Sequence, residues 1–141
     1  MKVHSSKVSI CILCYNAEET ISRALDSALD QDYPNKEIIV VDDASTDASL
    51  QILTKLQKEY DFRLIEHAHN KGPGSARNTA IEAATGEFVV FFDDDDVSTP
   101  RRASQQMNTI AAFEARFGTK QIACYASGVT SYPNGYNVSS T

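Results

Sequence analysis

Hydrophobic positions along this chain alternate between two rhythms. Short unbroken apolar runs at Val8, Ile10 to Leu13, Ile38 to Val41, Leu64–Ile65 and Phe88 to Phe92 lack helical spacing. Between them, apolar residues recur every three or four positions: Ile21, Ala24, Leu25, Ala28 and Leu29, then Ile52, Leu53, Leu56 and Tyr60, then Ala76, Ala80, Ile81 and Ala84, then Ala103, Met107, Ile110, Phe113 and Phe117. The runs predict strands at 7–14, 37–41, 62–65 and 88–92, with a further one at 122–126; the spaced sets predict four helices. Phe88 to Phe92, bulky throughout, suits a strand buried on both faces. Asn16 followed by Glu19 predicts the cap of the first helix, a start near Ser75 that of the third, and Thr99 before Pro100 that of the fourth.

Strand and helix alternate four times, which predicts an α/β fold with a mostly parallel central sheet flanked by helices. Ligands of such sheets bind outside the carboxyl ends of the strands. The polar interruptions of this sequence fall there: Tyr15–Asn16, Asp42–Asp43, and the four carboxylates Asp93 to Asp96. Crowded carboxylates repel one another, and a hard divalent cation, Mg²⁺ or Mn²⁺, relieves them by taking oxygen ligands. In an extended segment residues two apart share a side, so Asp93 and Asp95 converge while Asp94 turns away. Asp96 either caps the following turn or reaches the metal through water, and Asp42 serves equally well as a turn residue.

With 141 residues and 42% apolar side chains the chain is expected to form a single domain with a real core. Its formal charge of −6 argues against nucleic acid or an anionic membrane as the main partner. No run reaches the length of a membrane span and no apolar leader precedes Val8, so the cytoplasm is the expected location. Cys11 and Cys14 form a C-x-x-C on a strand, where positions three apart face opposite ways; both read as small core residues, and with Cys124 the count is odd. His67 and His69 read as residues of a solvated loop, and the sequon at Asn137 carries little weight.

Several linked segments resemble one family in order and spacing. Val8 to Asn16, Glu37 to Asp47, Asn70-Lys71-Gly72, Ala76-Arg77-Asn78, Ala84 to Glu87 and Phe92 to Pro100 are similar to family 2 glycosyltransferases over roughly residues 7 to 101. The resemblance implies a GT-A, Rossmann-like fold that binds a nucleotide-diphosphate sugar, with a UDP-sugar favoured. It also implies metal-assisted transfer to a saccharide or lipid-linked acceptor. Carried over by position, Tyr15 resembles the aromatic residue against the nucleobase, and Asp43 the carboxylate accepting from a uracil N–H. Asp93 and Asp95 resemble the D-x-D ends, with Asp95 reaching the metal, and Arg77 resembles a donor-contacting cation. Left to the residues alone, Tyr15 can also be a core aromatic and Arg77 a solvent-facing one. Leu13–Cys14 stands where the family commonly has Pro-Thr, which removes a hydroxyl near the base.

No acidic residue follows Glu114, so a general base is not identified, and residues 1–141 are expected to lack the acceptor-side part of a full enzyme. Any contact with the inner face of a membrane would come through segments outside this sequence. The alternative is a donor-binding module that holds nucleotide without efficient transfer. A phosphoacceptor receiver domain, suggested by Val40-Val41-Asp42-Asp43, lacks an acidic pair after the first strand. A dinucleotide oxidoreductase lacks the G-x-G-x-x-G that would open its first helix.

Overall fold

The computed structural model describes residues 5–120 and the backbone of two later strands, at 129–131 and 137–139. Ten elements follow in order: β1 (Val8–Cys14), α1 (Ile21–Leu29), β2 (Lys36–Asp42), α2 (Ser49–Leu56), β3 (Arg63–Glu66), α3 (Pro73–Ala83), β4 (Phe88–Asp93), α4 (Arg102–Phe117), β5 (Val129–Ser131) and β6 (Asn137–Ser139). The first four strands form one sheet in the order β3-β2-β1-β4, and every pairing is parallel. Residues 5–103 make one compact unit; from Ser104 on the chain belongs to a second.

β1 is apolar at every position but Ser9, because it lies between two partners and beneath helices on both faces. Val8 and Ile10 to Ile12 have no solvent exposure. On one face Cys11, Ile39 and Val41 meet Ala76 and Ala80 of α3, whose small side chains let the helix lie close to the sheet. On the other, α1 packs on β1, β4 and α2, burying Ile21, Ala24, Leu25 and Ala28. The two thiols therefore lie on opposite faces, both free and buried as expected. Burial pushes each up to about 12, helped by Glu37 for Cys11 and by Asp42 and Asp94 for Cys14, so neither is a nucleophile at neutral pH.

The register brings the strand ends level: Cys14 stands opposite Asp42, Leu13 opposite Asp93, and Asp42 opposite Glu66. The chain runs outward from β1 through β2 to β3, then returns to the other side of β1 as β4. That reversal opens the crevice between β1 and β4 at which α/β sheets bind ligands.

Four local expectations differ from what is observed. Asn16 does not cap α1. It adopts φ +50°, its amide oxygen accepts from Thr46 N, and α1 begins at Ile21 after a turn. β4 is not buried on both faces: Phe88 to Phe91 are half-buried and only Phe92 is buried. Among the described strands β4 is an edge, which accounts for the exposure. α4 begins at Arg102 instead of Pro100: Thr99 O accepts from Arg102 N and Gln31 Nε2, and Pro100 O from Asp32 N, so these residues form a turn ahead of the helix. Along α4, Ala103, Met107 and Ile110 are buried but Phe113 and Phe117 are exposed, their rings 4.3 Å apart. The strand expected at 122–126 lies outside the described residues. The antiparallel β5–β6 pair was not legible, since three-residue strands in a Gly-, Ser- and Asn-rich stretch leave no apolar run.

Candidate donor-binding site

The loops after β1 and β2 are laced together by side chains. Asn16 N donates to Ser45 Oγ (3.0 Å), Ala17 N to Ser49 Oγ (2.8 Å) and Glu18 N to Asp47 Oδ2 (3.0 Å). In return Thr46 N donates to Asn16 Oδ1 (2.7 Å) and Ala48 N to Glu18 Oε2 (2.8 Å). Asp42, fully buried, accepts from both Ser45 N and Ser45 Oγ. Held between these bonds, Ala44 sits at φ +58°, a conformation that an L side chain resists. Loops fixed this firmly present Tyr15 and Asp43 in constant positions at the rim.

Asp43 is 4% exposed. Its Oδ1 accepts from Lys71 N (2.9 Å) and lies 2.6 Å from His67 Nδ1; its Oδ2 accepts from Gly72 N (2.8 Å). Desolvation raises the pKa of such a carboxyl, but these bonds outweigh it and hold the group below its ordinary value, hence ionised. His67 is itself buried, and its Nε2 lies 2.8 Å from Thr79 Oγ1 on α3. The expectation that His67 belongs to a solvated loop is thereby corrected: the carboxylate at the end of β2 draws it inward from the end of β3. His69 is exposed.

The acidic stretch is a turn instead of an extended segment, closed by Asp96 N donating to Asp93 O at 3.4 Å. Strand alternation therefore does not govern where its carboxylates point. Asp94 reaches across the crevice, and its Oδ2 accepts from Tyr15 N at 3.0 Å. Asp93, Asp95 and Asp96 are exposed. Desolvation, then repulsion from neighbouring carboxylates, raises Asp96 above its ordinary value. For Asp94, desolvation and the Asp95 charge outweigh the bond from Tyr15 to the same effect.

Arg102 stands behind this turn. It donates from Nη2 to Phe91 O (3.0 Å) and from Nη1 to Ser98 Oγ (2.8 Å), and its guanidinium lies 4.5 Å from the Phe92 ring centre. Burial pushes its pKa below the ordinary value, while Asp93 and Asp96 oppose that shift. The set of carboxylates in the turn is all-oxygen and carries excess negative charge, which suits a hard divalent ion. Among the described residues no three His, Cys, Asp or Glu side chains are gathered closely enough to hold a metal ion.

Of the residues expected to contact donor, Tyr15 is 47% exposed at the crevice, which excludes a plain core aromatic. Asp43 lies at the end of the adjacent strand, β2. Arg77, on α3, is exposed, with its guanidinium 4.9 Å from the Phe91 ring centre. Asp93 and Asp95 share the turn after β4. His67 and Arg102 were missed. His67 directly follows the last residue of β3, so the strand-end rule that singled out Asp43 and Asp93 also points to it. For Arg102 the sequence offers no comparable signal.

Comparison with known proteins agrees with this fold. A family model described as glycosyl transferase family 2 matches residues 9–137. A poly(ribitol-phosphate) beta-glucosyltransferase of Bacillus spizizenii is 49% identical over 94 residues, 64% of this chain and 15% of that protein. The putative glycosyltransferase EpsE of Bacillus subtilis is 39% identical over 103 residues, 72% of this chain and 37% of that one. Among solved structures, Staphylococcus aureus TarS in complex with UDP-GlcNAc superposes with a TM-score of 0.66 at 36% identity, covering 79% of this chain and 32% of that one. The mannosyltransferase PcManGT of Pyrobaculum calidifontis, in complex with GDP-Man and Mn²⁺, gives 0.72 at 30% identity, covering 77% and 33%. The chain spans well under half the length of each.

Proposed function

From the premise that this chain belongs to glycosyl transferase family 2, we propose that it binds a nucleotide-diphosphate sugar across the β1–β4 crevice. It would do so as the donor-binding domain of a transferase acting on a saccharide or lipid-linked acceptor. The observation that carries the reading is the bond from Tyr15 N to Asp94 Oδ2, which ties the end of β1 to the acidic turn. With Asp43 at the end of the adjacent β2, that bond supports reading the residues of this rim as groups for base and diphosphate.

In this reading Tyr15 offers its exposed ring to the base, Asp43 accepts a base N–H, and Arg77 offers positive charge to the donor. Asp93 and Asp95 would hold Mn²⁺ or Mg²⁺ together with the diphosphate. When bound, the cation neutralises charge on the leaving diphosphate. Asp94 keeps the turn against β1 through its bond from Tyr15 N. A UDP-sugar is favoured by the likeness to a protein solved with UDP-GlcNAc, and a divalent cation by one solved with Mn²⁺.

Calorimetric titration of UDP with and without Mn²⁺ tests the assignment. Metal and UDP should strengthen each other by the same factor in the unaltered chain, because coupling is reciprocal. Asp95→Asn should abolish the response to Mn²⁺. Asp94→Asn should keep it, since an amide oxygen still accepts from Tyr15 N. Equal losses in the two variants would reduce the stretch to a solvated acidic turn.

A further inference from the structure

The groups around Asp43 leave it one free acceptor position. An ionised carboxylate offers about four lone-pair sites, two on each oxygen. Oδ1 is used twice, by Lys71 N and His67 Nδ1, and Oδ2 once, by Gly72 N. Because the carboxylate only accepts, Nδ1 of His67 is the donor of that bond, and Nε2 bonds the Thr79 hydroxyl. The imidazole is thus pinned at both ring nitrogens, between the end of β2 and the side of α3, and it is buried. A carboxylate free to rotate would present either oxygen in many directions. One braced by three donors from a different loop presents a single remaining lone pair, on Oδ2.

We propose that His67, seated by Thr79, is a positioning residue for base selection: it fixes the Asp43 carboxylate so that one Oδ2 lone pair is left for a single imide N–H of the nucleobase. The inference rests on the reading of Asp43 as the base-recognising group. It adds the device that makes that recognition selective. A group acting this way changes how well an N–H is distinguished from its absence. A group that merely supports the fold changes affinity for all nucleotides alike.

The test compares binding of UDP with binding of N3-methyl-UDP, which lacks the imide N–H, to the 141-residue chain by calorimetry. A hydrogen bond to a charged group corresponds to about ten- to a hundredfold in affinity, so the unaltered chain should prefer UDP by that factor. His67→Leu should lower the preference to about threefold or less by weakening UDP and sparing N3-methyl-UDP. His67→Asn, whose amide N–H can replace the Nδ1 donor, should restore most of it. Thr79→Val is isosteric on a partly exposed helix face and keeps the test open if His67→Leu does not fold; it too should narrow the preference. A preference unchanged in folded His67→Leu or in Thr79→Val would overturn the role of His67. No preference in the unaltered chain would overturn base reading by Asp43, and the proposal with it, on a measurement that involves no His67 variant.

Discussion

Ala44 is a small residue in a costly conformation. A left-handed L-residue loses about 1–2 kcal/mol, and a β-branched side chain there is a true outlier. The cost is borne because the flanking residues are fixed independently: Asp42 by Ser45, and Asp43 by a backbone bond to Cys14 O at 2.9 Å and by the loop at 67–72. Strain held in this way by surrounding bonds is characteristic of functional sites. Glycine relieves the strain but frees the unfolded chain by about 0.4–1 kcal/mol, so the two effects nearly offset. Ala44→Gly should therefore leave stability within about 1 kcal/mol of the unaltered chain, on the more stable side. Ala44→Val should lower it by about 2 kcal/mol or more. Urea denaturation of the pair checks the contrast; equal effects would mean that the loop adjusts and that no strain is held at this position.

At the scale of elements, β4 is set against β1 by its entry as much as by its apolar run. A side chain at Gly86 would place its Cβ 2.7 Å from Ser9 N and Ser9 Oγ and 2.8 Å from Lys7 O. Two of those neighbours are backbone atoms of the central strand and its lead-in, which cannot swing aside. Gly86→Ala should cost about 1–3 kcal/mol by forcing β4 away from β1. The loss should persist in a Ser9→Ala background, where only the hydroxyl contact is removed. A thermal melt in which Ser9→Ala fully suppresses the defect would locate the clash in the hydroxyl and refute the backbone argument.

The strands and helices that carry the rim were legible because parallel strands packed against helices write continuous apolar runs, and because ligands gather where those runs end. The exceptions share a physical cause. Asn16 resembles a cap by its local sequence, yet Thr46, thirty residues on, competes for its amide oxygen. His67 gains its meaning from Asp43, twenty-four residues away. Arg102 gains its own from the carbonyl of Phe91 and the ring of Phe92. Each depends on a contact across the fold, and no periodicity records such contacts.

For the unit at 5–103 taken whole, the two ends of the sheet put carboxylates to opposite uses. At the carboxyl rim, Asp94 and Asp96 lie above their ordinary values, burial first and repulsion after it, so they favour a ligand that brings positive charge. At the amino end, Glu37 accepts from Ser9 Oγ (2.5 Å), Thr85 N (2.7 Å), Thr85 Oγ1 (2.9 Å) and Lys7 Nζ (3.0 Å). Desolvation works against ionisation there, but these donors prevail and bring its value from 4.5 to about 2. Asp43 and Asp47 are lowered for the same kind of reason.

The sign of the resulting pH dependence follows from linkage. A carboxyl whose folded value is depressed contributes stability above its unfolded value and loses that contribution as the pH falls through the folded one. For Glu37 the contribution is complete above about 4.5 and fades towards about 2. Glu37→Gln retains an acceptor for Ser9 and Thr85 but has no charge to titrate. The unaltered chain should therefore be more stable than the variant at pH 7 by a constant margin that holds down to about pH 5. Below that the margin should shrink steadily, while the loss at Asp43 and Asp47 continues in both proteins. Denaturant midpoints measured from pH 7 to pH 2.5 would show the two curves converging. Curves that stay parallel to the acid end would mean that Glu37 is held by its neighbours without its charge mattering.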